Sequence, residues 1–140
     1  MIVIADDDPL YDDDLKTILG FEGWDDVTIV ATGEAVLQLV RGPSEPQAIV
    51  LDMMLPWNQE DADGGMPPER PEDLGGLRVA KELKEVSYDL RRVVVITAFH
   101  NEKANALLRD LGIEKSNILL KPARTTEILW RIRRACEFRP

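Results

Sequence analysis

Ala48-Ile49-Val50-Leu51-Asp52 is the stretch on which the reading of this chain turns. Four apolar residues in a row fit a strand covered on both faces, and the run stops on a carboxylate. Three other runs end in the same manner. Ile2-Val3-Ile4-Ala5 runs into Asp6-Asp7, Val93-Val94-Val95-Ile96 into Thr97, and Ile118-Leu119-Leu120 into Lys121-Pro122. A fifth run, Val27–Val30, ends on no such group. Strand ends on one edge of a parallel sheet lie side by side. Asp6 and Lys121, at opposite ends of the chain, can therefore face one pocket.

Helical patterns fill the gaps between these runs. A first helix is expected from Pro9 to Leu19, with Tyr11, Leu15, Ile18 and Leu19 on one face and Gly20 as its stop. Others are expected at Glu34–Arg41, at Leu77–Val86, and around the stripe Ala104, Leu107, Leu108 and Leu111, closed by Gly112. The last helix presents Ile128, Leu129, Ile132 and Ala135. This alternation is a (βα)5 pattern. Right-handed crossovers then predict an α/β fold: a doubly wound, parallel five-stranded sheet of order 2-1-3-4-5, flavodoxin-like, with helices on both faces. Residues 1–140 read as one domain. Residues 57–76 break the rhythm. They hold three prolines, four glycines and six acids against the single base Arg70. The segment reads as an acidic insertion in the loop after the third strand, a disordered surface loop or else a lid or docking element. Asp61-Ala62-Asp63-Gly64 and Glu72 have only a superficial likeness to a calcium loop. Gly65 and Met66 stand where an acid or amide and then a glycine are needed.

Composition narrows the classes. Apolar content of 44% suits a globular domain, and the net charge of −9 disfavours nucleic acid and anionic lipid as partners. A lone cysteine, Cys136, excludes an internal disulfide and sits on an apolar helical stripe as a core residue. No apolar run approaches the ~20 residues of a membrane helix. The apolar N-terminus is cut off too early, by Asp6-Asp7-Asp8, for a signal peptide. A cytoplasmic protein without membrane contact is expected.

The strand ends carry the chemistry. Asp6, Asp7 and Asp52 crowd three carboxylates together, a conflict that a divalent cation relieves. Oxygen-only ligation with retained waters suits Mg²⁺. Acids after strands also cap helices, and Asp8 before Pro9 is read that way. Lys121 is a point-charge partner for phosphate, and the Thr97 hydroxyl can donate to a phosphoryl oxygen. Phosphoryl transfer asks a protein mainly for positioning and charge neutralisation. Asp52, ending the central strand, is the natural acceptor.

These residues, together with Asp52-Met53-Met54-Leu55-Pro56, Ile96-Thr97-Ala98 and Leu120-Lys121-Pro122, resemble the receiver domain of a bacterial two-component response regulator, the CheY-like family. The resemblance spans nearly the whole chain in the expected order. It implies a phosphorylation-controlled signalling module in a phosphorelay. Asp52 would be the phosphoacceptor, and Asp6, Asp7 and Asp52 would hold Mg²⁺ with the backbone carbonyl of Met54. Thr97 would be the switch hydroxyl and Lys121 the phosphate-pairing lysine. Ala98 would leave room for the phosphoryl group, and Pro122 would follow a cis bond. A sensor histidine kinase or phosphotransfer protein would donate, and a downstream effector would read the result. The chain would not be an enzyme beyond its own phosphotransfer and autodephosphorylation.

Several positions depart from the family pattern. Ile118 stands three residues before Lys121, where the family usually carries its switch aromatic. The loop Ile113–Asn117 is about two residues longer than usual in the family. Ser116 and Asn117 replace acids that often support a homodimer through the fourth helix, fifth strand and fifth helix. Arg131, Arg133 and Arg134 form a basic helical face, solvated or open to an acidic partner. Met54 and Phe99, two residues beyond Asp52 and Thr97, are neither polar nor charged, which predicts slow self-dephosphorylation. His100 reads as a surface residue near the pocket mouth. Two other functions compete: an unphosphorylated receiver-like interaction domain, and an aspartate-based phosphatase. The second lacks the acid such enzymes need at the position of Met54. The effector is expected on another protein or in a longer parent chain.

Overall fold

The computed structural model describes residues 1–65 and 68–138. Five strands, β1 (Ile2–Ala5), β2 (Val27–Val30), β3 (Ala48–Leu51), β4 (Val93–Thr97) and β5 (Ile118–Leu120), form one parallel sheet in the order β2-β1-β3-β4-β5. The expected order and all five runs are therefore present. Strand pairing places Ala5 beside Leu51, Leu51 beside Val95, and Thr97 beside Leu120. The residues that follow each strand therefore gather at one edge.

Six α-helices flank the sheet among the described residues: α1 (Pro9–Phe21), α2 (Gly33–Val40), α3 (Gln59–Gly64), α4 (Gly75–Glu85), α5 (Glu102–Leu111) and α6 (Thr125–Glu137). Each strand side chain chooses a face by period-two alternation. Val3, Ala5, Ile49, Leu51, Val93 and Val95 pack with α2, α4 and α5. Ile2, Ile4, Val50, Val94 and Ile96 pack with Leu15 and Leu19 of α1 and Ile128, Leu129 and Ile132 of α6. Because β1, β3 and β4 are covered on both faces, apolar residues fill every position from Ile2 to Ala5, Ala48 to Leu51 and Val93 to Ile96. Cys136 is a free, half-buried thiol at the edge of the second core, and burial pushes its pKa up.

Two expectations about local structure need correction. Gly20 does not stop the first helix, which runs on to Phe21 and turns at Gly23, with φ +97°. The glycine with the left-handed backbone, not the first glycine met, marks the end. The segment 57–76 is not a plain loop either. It contains α3, capped by Asn58, whose carboxamide oxygen accepts the Asp61 N–H at 2.8 Å. It also contains a single 3-10 turn at Pro71–Asp73, and its last residues, Gly75 and Gly76, begin α4. Met66 and Pro67 of this segment lie outside the described residues.

At the sheet edge away from the strand ends, Arg92 is buried and donates to the carbonyls of Gln47 (3.0 Å) and Pro46 and to Glu45 (3.3 Å). The Tyr88 hydroxyl donates to the same Pro46 carbonyl at 3.0 Å. This clamp ties the entry of β3 to the entry of β4. Replacing Arg92 with leucine removes its three hydrogen bonds and leaves Tyr88 alone on the Pro46 carbonyl, which costs about 1–3 kcal/mol. Urea unfolding of Arg92→Leu is expected to show that loss with an unchanged m-value.

Candidate functional site

The gathered strand ends carry the predicted groups. Asp6 follows β1 and Asp52 follows β3; both are buried, whereas Asp7 is exposed. Asp6, Asp7 and Asp52 each offer a carboxylate oxygen, and these atoms lie within 4.8 Å of one another. Lys121, just after β5, places its Nζ 2.7 Å from Asp6 Oδ2 and 3.4 Å from Asp52 Oδ2. The Lys121 N–H is in turn held by the Thr97 carbonyl at 2.8 Å, and the Lys121–Pro122 bond is cis.

Backbone donors hold the carboxylates in place. Asp6 Oδ1 accepts the Asp8 N–H and Asp52 Oδ1 accepts the Met54 N–H, each at 3.0 Å. The Asp52 loop is further confined by α4. A Cβ at Gly76 would fall 2.6 Å from the Asp52 carbonyl oxygen, and one at Gly75 would overlap the Leu55 carbonyl, so side chains are excluded there. Asp8 caps α1 through the Tyr11 N–H at 3.3 Å, as its position before Pro9 predicts.

Burial raises the Asp6 carboxyl above its usual range; the Lys121 hydrogen bond pulls the other way, and the Asp52 charge adds to the rise. Burial works against the Lys121 ammonium, yet its bond to Asp6 and the charges of Asp52 and Asp6 hold its pKa above the ordinary value. Three carboxylates facing one ammonium leave negative charge in excess. An all-oxygen, carboxylate-rich donor set of this kind suits a hard divalent cation. The residues present thus fit a metal site.

The other predicted residues lie on β4, β5 and α6 and in the loop after β4. Thr97 is buried, and its hydroxyl accepts the Phe99 N–H at 3.1 Å. Ala98 is exposed beside it. Thr97, Phe99 and Ile118 line one small cavity of about 290 Å³ between α5 and β5, with Asn105 on its wall. His100 is exposed, and its Nε2 lies 3.5 Å from Glu102. On α6, Arg133 pairs with Glu22 and Arg134 with Glu137 (3.5 Å), so two of the three arginines there have partners within the chain.

Two residues of this site escaped sequence reasoning as functional groups. Tyr11 lies under Lys121, with the ammonium 4.2 Å from the ring centroid. Asp12 is buried, and its Oδ1 has no hydrogen-bond partner among the described residues. Residue type does not separate Asp12 from its exposed neighbours Asp13 and Asp14. Only the helical phase set by Tyr11 and Leu15 turns it inward.

A model of the response regulator receiver domain family matches residues 2–133. The chain belongs to that family. It is the receiver domain of a two-component response regulator. Among solved structures, the chain is similar to a CheY-like receiver domain protein from Methanospirillum hungatei JF-1, at 20% identity and a TM-score of 0.74, covering 97% of this chain and 92% of that one. It is also similar to the receiver domain of NtrX from Brucella abortus, at 21% identity and a TM-score of 0.73, over 99% and 100% of the two chains. The BeF3-activated receiver domain of RstA from Klebsiella pneumoniae aligns at 20% identity and a TM-score of 0.72, over 98% of each chain. At such identities these likenesses establish the fold alone. No curated protein matches the chain significantly.

Asp12 gives the receiver a pH signature. Burial, then the Asp6 charge, push its carboxyl from an ordinary 3.8 up to about 7; Lys121 opposes, and Asp8 and Asp7 add. Between those two values the unfolded chain releases a proton that the folded chain keeps. Stability therefore falls as pH rises through that window, and above it the folded state bears the whole cost of a buried charge. In metal-free buffer, Asp12→Asn is expected to melt several degrees above the wild type at pH 8, with the gap closing towards pH 4. A gap that is constant across the range contradicts this account.

Proposed function

We propose that this receiver, residues 1–140 with an acidic insertion at 57–76, accepts a phosphoryl group on Asp52 from a sensor histidine kinase or a phosphotransfer protein. The observation that supports this most directly is Lys121, whose ammonium stands 2.7 Å from Asp6 and 3.4 Å from Asp52. It carries a positive charge to where a phosphoryl oxygen would sit, while Asp6 and Asp7 supply the opposing carboxylates. Asp6, Asp7, Asp52 and the Met54 carbonyl would hold Mg²⁺, which when bound neutralises the carboxylates and draws charge from the phosphoryl oxygens.

The residues then act as follows. Asp52 presents a carboxylate oxygen to the phosphorus of a phosphohistidine. An O–P bond forms, the P–N bond breaks, and its electron pair stays on the donor imidazole. Lys121 shifts its ammonium from the carboxylates to the phosphoryl group. The Thr97 hydroxyl exchanges the Phe99 N–H for a phosphoryl oxygen, and Ala98 leaves space for it. Thr97 shares its cavity with Phe99 and Ile118, so the readout passes through these two side chains in the absence of the usual aromatic. The surface of α5, β5 and α6 presents the change to a downstream effector in the cytoplasm, or to a second copy of the chain. Nothing in this scheme calls for contact with nucleic acid or membrane, and no substrate is turned over.

Incubation with acetyl phosphate and Mg²⁺, followed by intact mass, tests the reading. The wild type is expected to gain one phosphoryl group, and Asp52→Ala none. No addition to the wild type, or equal addition to both, favours an interaction domain that works unphosphorylated. Because Met54 and Phe99 offer no polar group to orient water, the phosphorylated form is expected to persist for minutes or longer after acetyl phosphate is removed. Decay within seconds rules that out.

A further inference from the structure

The insertion is built as one wall of a cleft that adjoins the phosphorylation site and shares Asp7 and Met54 with it. Its first limb is sewn to the start of α2, with the N–H groups of Gly33 and Glu34 donating to the carbonyls of Pro56 and Trp57, both at 2.9 Å. Its second limb is anchored by Leu74, which is buried in the core, and by the Gly76 N–H, which donates to the Met53 carbonyl at 3.0 Å. Between the limbs lie an intramolecular pair, Arg70 with Glu72 at 2.7 Å, and a contact from Glu72 to Lys103 of α5 at 4.0 Å. The cleft that results measures about 730 Å³. Its floor is apolar, formed by Met54, Leu55, Leu74 and the ring of Trp57.

The rim has the opposite character. Asp7, Glu60, Asp61 and Asp73 line it, Asp73 already facing Arg70 at 3.9 Å, and Arg78 is the one base among its lining residues. The Arg78 guanidinium is stacked 3.8 Å from the centroid of Trp57 and forms no ion pair among the described residues. Glu60 and Asp61 likewise have no cationic partner among the described residues. These acids are too spread to share one ion. The grouping of carboxylates close enough for a metal among the described residues is Asp6, Asp7 and Asp52. An apolar floor under a spread acidic rim matches a peptide with alternating cationic and apolar side chains better than an ion or an anionic ligand.

We propose that this cleft docks a lysine- or arginine-bearing segment of a partner protein, with its apolar residues on Trp57 and Met54 and its cations on Glu60 and Asp61. Since Asp7 belongs both to the cleft and to the metal-binding group, the docked segment lies beside Asp52. Main-chain hydrogen bonds hold both roots of the segment, which limits the ordering entropy that docking must overcome. The proposal goes beyond the phosphoacceptor reading and is tested on the unphosphorylated chain.

The probe is a nine-residue peptide of alternating lysine and leucine, with its glutamate–leucine counterpart as control, titrated by calorimetry and by amide NMR without Mg²⁺. The cationic peptide is expected to bind, to shift amides of residues 54–62 and 73–78, and to shift the Trp57 indole. Glu60→Gln with Asp61→Asn is expected to weaken it about fivefold, as two partly screened ion pairs are lost. Removing three exposed charges elsewhere, by Asp13→Asn, Asp14→Asn and Asp25→Asn, is expected to leave affinity within twofold, about the resolution of the titration. Equal losses in both variants would show attraction to net charge alone and overturn the proposal. So would shifts confined to other surfaces, absence of binding, or equal binding of the acidic peptide.

Discussion

Lys121 bridging Asp6 and Asp52 is the interaction on which the functional end of this receiver depends. Two buried carboxylates on neighbouring strands repel each other, and the fold brings them together because β1 and β3 pair in parallel and end level. The lysine ammonium, delivered from β5 and braced through the Thr97 carbonyl, offsets that repulsion. Parallel pairing throughout the sheet makes the arrangement possible, since it sends every strand's following residue to the same edge. The site is consequently under electrostatic tension that either a cation or a phosphoryl group with its counter-ion can relieve.

Asp12 adds to that tension from below. Most buried polar groups in folded proteins find a partner, and a carboxylate oxygen without one is a cost the rest of the fold must offset. Tyr11, stacked against Lys121, makes the same helix turn part of the lysine's environment. The first turn of α1 is thus more than a cap. It places an aromatic ring and a buried carboxyl beside the lysine that faces Asp52.

Residues 57–76 shape the neighbourhood of the site without contributing its carboxylates or its lysine. The chain leaves the core at Leu55 and returns at Leu74, both buried, and Gly75 and Gly76 let α4 start against the Asp52 loop. A receiver sheet tolerates such an excursion because loop closure entropy grows slowly with length and both roots are held by main-chain hydrogen bonds. What the excursion adds is a walled, acidic cleft opening beside Asp7.

Much of this was legible beforehand, for a local reason. Apolar runs such as Ala48–Leu51 and Val93–Ile96 declare buried parallel strands, and the groups that follow them declare a pocket once parallel order is assumed. Pro9 after Asp8 likewise marked a capped helix start, and Ala104, Leu107, Leu108 and Leu111 marked a helix face. The sequence by itself determined the strand order and which charged and polar groups gather at the strand ends, because period, run length and strand-end chemistry are properties of adjacent residues. Tertiary structure alone decided that Arg92 clamps the Pro46 carbonyl and that Trp57 stacks under Arg78 to wall a cleft. Those outcomes depend on how distant elements pack, and neither charge nor pattern in one stretch specifies which neighbour it will meet.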